Sequence, residues 1–230
     1  CTVVINVVTD LYPAITCVGD QSKSTDAGVC NYTVAGTGFN ASSTTSGATL
    51  TNDYNNTATL DEAVFPHGNT LVTWTATQTI DATVYSNSCS YYVFVRDNEA
   101  PVITPQANIS TTTNSGCYAT GVNLGIPTRS DNCGVSTYSN NAPSSYPIGT
   151  TNITWWIWDI HGNISTTIQT VTVIDNIAPY LSCPGTICRQ VDDGQNYYTA
   201  NGHEFDTYGA WDCSGITSTN ITHNVSGAPF

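Results

Sequence analysis

Residues 146–183 read YPIGTTNITWWIWDIHGNISTTIQTVTVIDNIAPYLSC, and this stretch decides the fold. Every second residue from Ile153 to Ile157 is large and apolar, which is the period of a strand with one buried face. His161-Gly162-Asn163 follows, and glycine and asparagine tolerate the backbone of a tight turn. The alternation resumes over residues 170–173. The stretch therefore predicts a β-hairpin whose second strand ends near Asp175.

The same phrase occurs earlier in the chain. Residues 65–77 read FPHGNTLVTWTAT, and residues 89–104 read CSYYVFVRDNEAPVIT. Setting Pro66 on Pro147 aligns the alternating apolar positions of the two hairpins. The chain is therefore predicted to be an array of repeats.

The boundaries of the array follow from the recurring junction phrase at residues 97–101 and 175–179. Neither junction contains a flexible linker, and its proline restricts the backbone, so we expect a stiff rod. The predicted parts are an N-terminal strand at 1–12, a repeat at 13–98, a repeat at 99–176 and an incomplete repeat at 177–230.

Composition excludes several classes of partner. The chain has four Lys and Arg residues against 17 Asp and Glu residues, a net charge of −13. Nucleic acid is excluded because phosphate binding needs clustered basic residues. No apolar run reaches the roughly 18 residues of a membrane-spanning helix. Nine cysteines without zinc-ligand spacing predict disulfides and an extracellular or cell-surface location.

Many short strands with Gly, Pro and Asn punctuation indicate an all-β protein made of tandem immunoglobulin-like antiparallel sandwiches. The recurring motifs are D-N-x-A-P, D-N-C-G, [FY]-P-x-G-T-T-x-[IV]-T-W, D-x-x-G-N and C-x-x-x-V-x-V-x-D. Together they resemble the hyalin (HYR) repeat, whose sandwich is common in secreted and surface-anchored adhesive proteins. The second repeat matches over almost its whole length. The first lacks D-N-C-G, and the third lacks its last strands.

Comparison between repeats predicts disulfide pairs. The second repeat lacks both cysteines that correspond to Cys17 and Cys89, while it keeps Cys117 and Cys133. Positions lost together suggest a pair, which predicts the bonds Cys17–Cys89 and Cys117–Cys133.

Two further cysteines are paired from what remains. Cys188 and Cys213 form the expected local pair of the third repeat. Cys30 has no partner in this scheme, so either it is a buried thiol or one assignment is wrong.

The N-terminal segment matches the closing strand of a repeat, with Cys1 at the position of Cys89. Its alternating Val3, Ile5 and Val7 would complete the third repeat of a neighbouring subunit, and a Cys1–Cys183 bond would lock the joint. Such a head-to-tail contact generates a filament. The alternatives are a first-domain edge strand, a lipidated Cys1, or a longer covalent array.

The repeat junctions and turns are rich in carboxylate and amide oxygens, and the favoured interpretation is that these side chains form Asx turns and strand caps. The alternative is a calcium site, because calcium takes six to eight oxygen ligands and the calcium sites between cadherin-like domains are similarly rich in oxygens. The candidate ligands are Asp97, Asn98, Glu99, Asp131 and Asp175, with Asp159 in the hairpin turn.

Glycans and a contact surface are further expectations. Trp156 and Trp158 stand opposite the core-facing positions of their strand, so they are predicted to form an exposed contact surface. Eight Asn-x-Ser/Thr sequons are candidate glycosylation sites, with Asn152 and Asn163 preferred. The sequons begin at Asn31, Asn40, Asn55, Asn108, Asn152, Asn163, Asn220 and Asn224.

These features predict a structural subunit of an extracellular filament or surface rod whose partner is another copy of itself. The alternative is an adhesin or carbohydrate-binding stalk that contacts glycans or a cell surface. No hydrolase or nucleotide-binding motif is present, and the four histidines are scattered. No catalytic residue is therefore assigned, and no cofactor other than calcium is expected.

Overall fold

The computed structural model describes residues 11–182, 185, 192, 193, 195 and 209–215 of the 230-residue chain. All regular elements in these ranges are β-strands, so the described part of the protein is all-β as predicted. Several predicted site residues lie outside the described residues. They are Cys1, Val3, Ile5, Val7, Cys183, Cys188, Asn220 and Asn224.

Sixteen strands form the described part. The first eight are β1 (Gln21–Ser24), β2 (Asn31–Thr33), β3 (Thr49–Asn52), β4 (Val64–Pro66), β5 (Gly68–Ile80), β6 (Thr83–Arg96), β7 (Val102–Thr104) and β8 (Ile109–Thr112). The others are β9 (Tyr118–Thr120), β10 (Thr128–Ser130), β11 (Val135–Asn140), β12 (Ser145–Pro147), β13 (Gly149–Asp159), β14 (Ile164–Ile174), β15 (Tyr180–Ser182) and β16 (Gly209–Trp211).

The chain divides into two compact units. The first takes in Cys1–Thr104, Thr128–Ser139 and Trp156–Thr166, and the second takes in Pro105–Pro127, Asn140–Trp155 and Thr167–Phe230. Each unit therefore draws on more than one predicted repeat. The repeat boundaries inferred from the sequence stay a prediction.

The first unit contains a sandwich built on the long β5–β6 hairpin. Its larger sheet has the order β1-β6-β5-β3, and β2 pairs with β4 in a second sheet. Val72 and Trp74 of β5 and Val93 of β6 are fully buried, as is Phe65 of β4. Burying each such side chain stabilises the fold by about 1.5–3 kcal/mol. The hairpin face predicted from alternation is therefore the core face.

The β5–β6 hairpin closes at a two-residue turn, Asp81-Ala82, where Ile80 pairs with Thr83. Both turn residues have positive φ, 47° and 63°. Two successive positive φ values match the twist of the flanking strands. Neither residue is glycine, so the composition gave little indication of the turn. The hairpin is also longer than its apolar residues alone suggest.

The sheets are not purely antiparallel, which corrects the predicted strand pairing but not the all-β class. β1 pairs with β6 in parallel, Gln21 opposite Val93, and β8 pairs with β14 in parallel, Val171 opposite Ile109. Parallel neighbours need a long connection between them. That condition is met here, because β1 and β8 each pair with a strand that comes about 60 residues or more later in the chain.

The β13–β14 hairpin confirms the expectation from the opening stretch. Ile153, Trp155 and Ile157 are buried. Nε1 of Trp155 donates to Oε1 of Gln169 (3.1 Å), and the buried Gln169 amide donates to the carbonyl of Ala107 (3.0 Å). The polar atoms of the tryptophan and glutamine are thereby satisfied inside the core, as buried polar groups require.

Candidate functional site

Three disulfides connect the described cysteines. Cys17 bonds to Cys89 with a Cα–Cα distance of 5.9 Å, and this is the pair that the shared loss predicted. The other two bonds are Cys30–Cys133, with Cα atoms 4.7 Å apart, and Cys117–Cys213, with Cα atoms 5.1 Å apart.

Two predicted pairs are therefore wrong. Cys117 does not bond to Cys133, and Cys213 is bonded to Cys117, so it does not pair with Cys188. Cys30, to which the sequence analysis assigned no partner, bonds to Cys133. The physical reason is a shift by one repeat, since each of these bonds joins a predicted repeat to the next.

The two bonds occupy equivalent places in the predicted repeats. Cys30 and Cys117 each stand directly before a short strand, β2 or β9. Cys133 and Cys213 each stand in a loop just after an acidic or amide residue, Asn132 or Asp212. The same loop of one repeat is thus tied to the same strand of the preceding repeat.

A carboxylate fixes the loop that presents Cys133. Oδ2 of Asp131 accepts the backbone N–H groups of Cys133 and Gly134, both at 2.8 Å. This is the Asx-type turn that the sequence allowed. Since only Oδ2 is used, the other oxygen of Asp131 remains available.

Asp131 belongs to a cluster of three carboxylates in the first unit. Carboxylate oxygens of Asp97, Asp131 and Asp159 lie within 4.8 Å of one another. Asp97 follows β6, Asp131 lies between β10 and β11, and Asp159 ends β13, so three separate segments meet here. Asp97 and Asp159 are only 6% and 2% exposed.

The turn after β13 supports Asp159. Oδ1 of Asp159 accepts the N–H groups of His161 and Asn163, both at 2.8 Å, and Oδ2 accepts from Nδ2 of Asn163 at 2.7 Å. Burial raises the pKa of Asp159, but these hydrogen bonds outweigh burial and hold the pKa below its usual value. Asp159 is therefore charged at neutral pH.

His161 is the basic group that contacts the cluster. Its Nδ1 lies 3.0 Å from Oδ2 of Asp97. Its ring stands against His67, with centroids 3.7 Å apart. Burial, followed by the charge of His161, lowers the pKa of His67. His67 is accordingly neutral at neutral pH.

The remaining predicted metal ligands make other contacts, although Glu99 lines the same cavity as Asp131. Nδ2 of Asn98 donates to Ser24 Oγ (2.9 Å), and Glu99 Oε2 accepts the N–H of Gly28 (2.9 Å). Asp175 belongs to the second unit, where hydrogen bonds from Ile177 and Ser214 lower its pKa. The sequence prediction thus placed Asp97 and Asp131 with the cluster, but these three residues are not among the grouped side chains.

The contact surface and the sequons are only partly as expected. Trp156 and Trp158 lie on the opposite face from Ile157, yet each is half-buried rather than exposed. Asn163 uses its amide nitrogen to bond Asp159. Asn108 and Asn152 are exposed, so the structure favours these two as accessible acceptors.

Comparison with known proteins follows the fold. No family model matches the chain. Hyalin of Strongylocentrotus purpuratus is 31% identical over 137 residues, which is 56% of this chain and 11% of that protein. Hyalin of Lytechinus variegatus is 31% identical over 137 residues, 57% of this chain and 26% of that protein. The chain thus spans about a tenth and about a quarter of these relatives.

Solved structures give more distant likenesses. Mouse cadherin-23 EC22-24 shares 16% identity at a TM-score of 0.31, covering 71% of this chain and 65% of that one. Human protocadherin-24 EC1-2 shares 12% identity at a TM-score of 0.33, covering 72% and 98%. These likenesses are too distant to inform function.

The fold and the disulfides define an extracellular β-sandwich protein. Within this class of β-sandwich proteins, the similarity to hyalin shows that the chain contains a hyalin-repeat-like domain. Its location is extracellular or at the cell surface. In the part of the chain that the structure describes, no helix has the length and apolarity to cross a membrane.

Proposed function

We propose that the chain is a structural module of an extracellular adhesive assembly. The observation that carries this proposal is the pair of equivalent disulfides, Cys30–Cys133 and Cys117–Cys213, that tie each predicted repeat to the next. Relatedness to hyalin supports the same role. No enzymatic activity is proposed, since the recurring motifs of this chain shape turns and strands.

The bonds suit a protein that carries mechanical load. Cys30–Cys133 closes a loop with a sequence separation of 103 residues. In the chain-entropy treatment, a loop of that length contributes on the order of 4–5 kcal/mol by constraining the unfolded state. A cross-link at each junction also limits how far neighbouring repeats separate under tension.

The finer proposal is head-to-tail assembly with another copy of the chain. Val3, Ile5 and Val7 alternate as the closing strand of a repeat does, and Cys1 takes the place of Cys89. The support is this sequence pattern, because these residues lie outside the described ranges. A donated strand of this kind would complete the third repeat of a neighbour, with a Cys1–Cys183 bond between subunits.

Substitution of the donor face tests the assembly. V3S/I5S/V7S removes three apolar side chains from the face that would enter the neighbour, whereas V4S/V8S changes the opposite face of the same segment. We expect electron microscopy to show fibres for the wild type and for V4S/V8S, and their loss for V3S/I5S/V7S. Fibres that persist in V3S/I5S/V7S would contradict strand donation.

A glycan-binding stalk is the second candidate, because Trp156 and Trp158 present partly exposed rings on the outer face of β13. Aromatic rings of this kind bind sugars through their apolar faces. A wild-type chain that stays monomeric and binds a glycan array, with binding lost in W156A/W158A, would favour this candidate over the assembly.

A further inference from the structure

An apolar surface lies where the first described residues meet the tip of the β5–β6 hairpin. The rings of Tyr12 and Tyr85 stand edge to face with centroids 5.7 Å apart, and Tyr12 remains 63% exposed. Leu11 is 44% exposed. Ile80 pairs with Thr83, so strand alternation places it on the hairpin face of Tyr85. We call Leu11, Tyr12, Ile80 and Tyr85 the tip surface. Clustered apolar side chains that stay exposed indicate a contact site for another protein.

Side chains of the hairpin hold the segment before β1 against the tip. Nε2 of Gln78 donates to the Leu11 carbonyl (2.8 Å), and Nδ2 of Asn87 donates to the Pro13 carbonyl (3.2 Å). The proposed donor residue Val7 comes four positions before Leu11. Four residues span at most about 14 Å, so a repeat that takes in Val7 must come within that distance of the tip surface.

The turn of the second predicted repeat shows what such a tip contacts. Nδ1 of His161 lies 3.0 Å from Oδ2 of Asp97, and Nδ2 of Asn163 donates to the Asp97 carbonyl (3.2 Å). The His161 ring also stands against the ring of His67, with centroids 3.7 Å apart. Asp97 and His67 both belong to the preceding predicted repeat. This tip therefore packs on the end of the repeat before its own.

The first predicted repeat has no cysteine at the place from which the second bonds backwards. Cys133 bonds to Cys30 of the preceding repeat, and Oδ2 of Asp131 accepts the Cys133 N–H (2.8 Å). In the first repeat, Oγ of Ser43 accepts the Thr45 N–H (3.2 Å) with the same spacing. Thr45 and Cys133 also come equally far after the first proline of their repeats. A joint made by the first repeat therefore lacks this bond and has to rely on other contacts.

The first repeat offers apolar contact at this place instead. By the same alignment, Leu11 and Tyr12 stand where the second junction has Glu99 and Ala100. The first hairpin is also longer, since β5 and β6 span 13 and 14 residues against 11 each for β13 and β14. A longer, apolar tip suits a joint in which the burial of side chains replaces a covalent bond.

We propose that the tip surface packs on the third repeat of a second copy of the chain, the repeat that receives its donor strand. The inference rests on the proposed head-to-tail assembly and adds to it a surface beside the strand. The short connection from Val7 to Leu11 places the tip and the accepted strand on the same neighbour. The contact between His161 and Asp97 is the precedent within the chain for a tip that packs on the end of another repeat.

Photo-cross-linking tests which partner the tip contacts. Benzoylphenylalanine replaces Ile80 in one preparation and, in the control, Tyr92, which is 44% exposed on the opposite face of the same hairpin. Each preparation is assembled from an equal mixture of light and heavy isotope-labelled chains. We expect heavy–light peptides that join position 80 to residues 177–230, and none from position 92. Fibres whose cross-links from position 80 stay within one copy, or reach only other residues of the neighbour, would overturn the proposal.

Loss of the exposed ring tests the strength of the contact. We expect Y12S to raise the critical concentration for fibres at least about fivefold, because an aromatic side chain is no longer buried at the joint. Y92S should leave that concentration unchanged. Circular dichroism reports whether Y12S is folded, and I80T serves as a second variant if it is not. Absence of fibres in the wild type would overturn the assembly and this inference together. An unchanged critical concentration in Y12S, with fibres lost in V3S/I5S/V7S, would overturn the tip surface alone.

Discussion

Single carboxylates shape the loops on which this protein depends. Asp131 holds the Cys133 loop, and Asp159 holds the hairpin turn through Asn163. Each carboxylate uses backbone N–H groups that a turn leaves without partners, which explains why Asp is frequent where repeats meet. The acidic net charge of the chain is therefore partly a consequence of turn chemistry.

Asparagine accessibility separates the sequons at the same scale. Asn152 is exposed on β13, whereas the amide nitrogen of Asn163 is bonded to Asp159 at 2.7 Å. A sugar on Asn163 would replace one hydrogen of the amide nitrogen that donates to Asp159. In secreted protein, we expect glycopeptide mass spectrometry to find sugar at Asn152 or Asn108 and none at Asn163. Sugar on Asn163, or the absence of sugar from both Asn108 and Asn152, would contradict this.

The hairpin element has two faces of very different energetic weight. Ile157 of β13 is fully buried, and Ile164 of β14 is 51% exposed. Ile157→Ala leaves a cavity and should lower the free energy of unfolding by about 2–5 kcal/mol. Ile164→Ala, the matched control, should change it by less than about 1 kcal/mol. Urea denaturation followed by tryptophan fluorescence measures both; equal losses would refute the assigned faces.

The period-two pattern was sufficient to predict the buried face of the hairpin, because successive residues of a strand point to opposite faces and the apolar ones face the core. The turn at Asp81-Ala82 was not predictable in the same way, since it lacks glycine and places a positive φ on Ala82, although aspartate tolerates one. The parallel pairing of β1 with β6, and of β8 with β14, also had no signal in the sequence. Whether two distant strands pair in parallel or antiparallel depends on the path of the chain that connects them, not on their local composition.

The metal candidates illustrate the same limit. The Asp-rich junction phrase located Asp97, and the D-N-C-G phrase located Asp131. The proximity of Asp159 depends on tertiary packing, because it lies 28 residues after Asp131 and 62 after Asp97 by their numbers in the chain.

At the scale of the whole molecule, two of the three described disulfides, Cys30–Cys133 and Cys117–Cys213, join one predicted repeat to the next. Cysteines lost together predicted Cys17–Cys89 because both halves of that bond lie in one repeat. The same reasoning fails for Cys117 and Cys133, since each belongs to a bond with a different neighbouring repeat. The unpaired Cys30 was the available signal: shifting the partner by one repeat gives all four cysteines a bond. If the predicted repeat boundaries hold, these two bonds link neighbouring repeats covalently.

Peptide mapping without reduction tests that claim most directly. Pepsin suits the task, because the chain has few sites for trypsin and the acidic digest suppresses thiol exchange. The account predicts disulfide-linked peptides that join Cys30 to Cys133 and Cys117 to Cys213. A linked peptide joining Cys117 to Cys133, with Cys30 recovered as a free thiol, would contradict it.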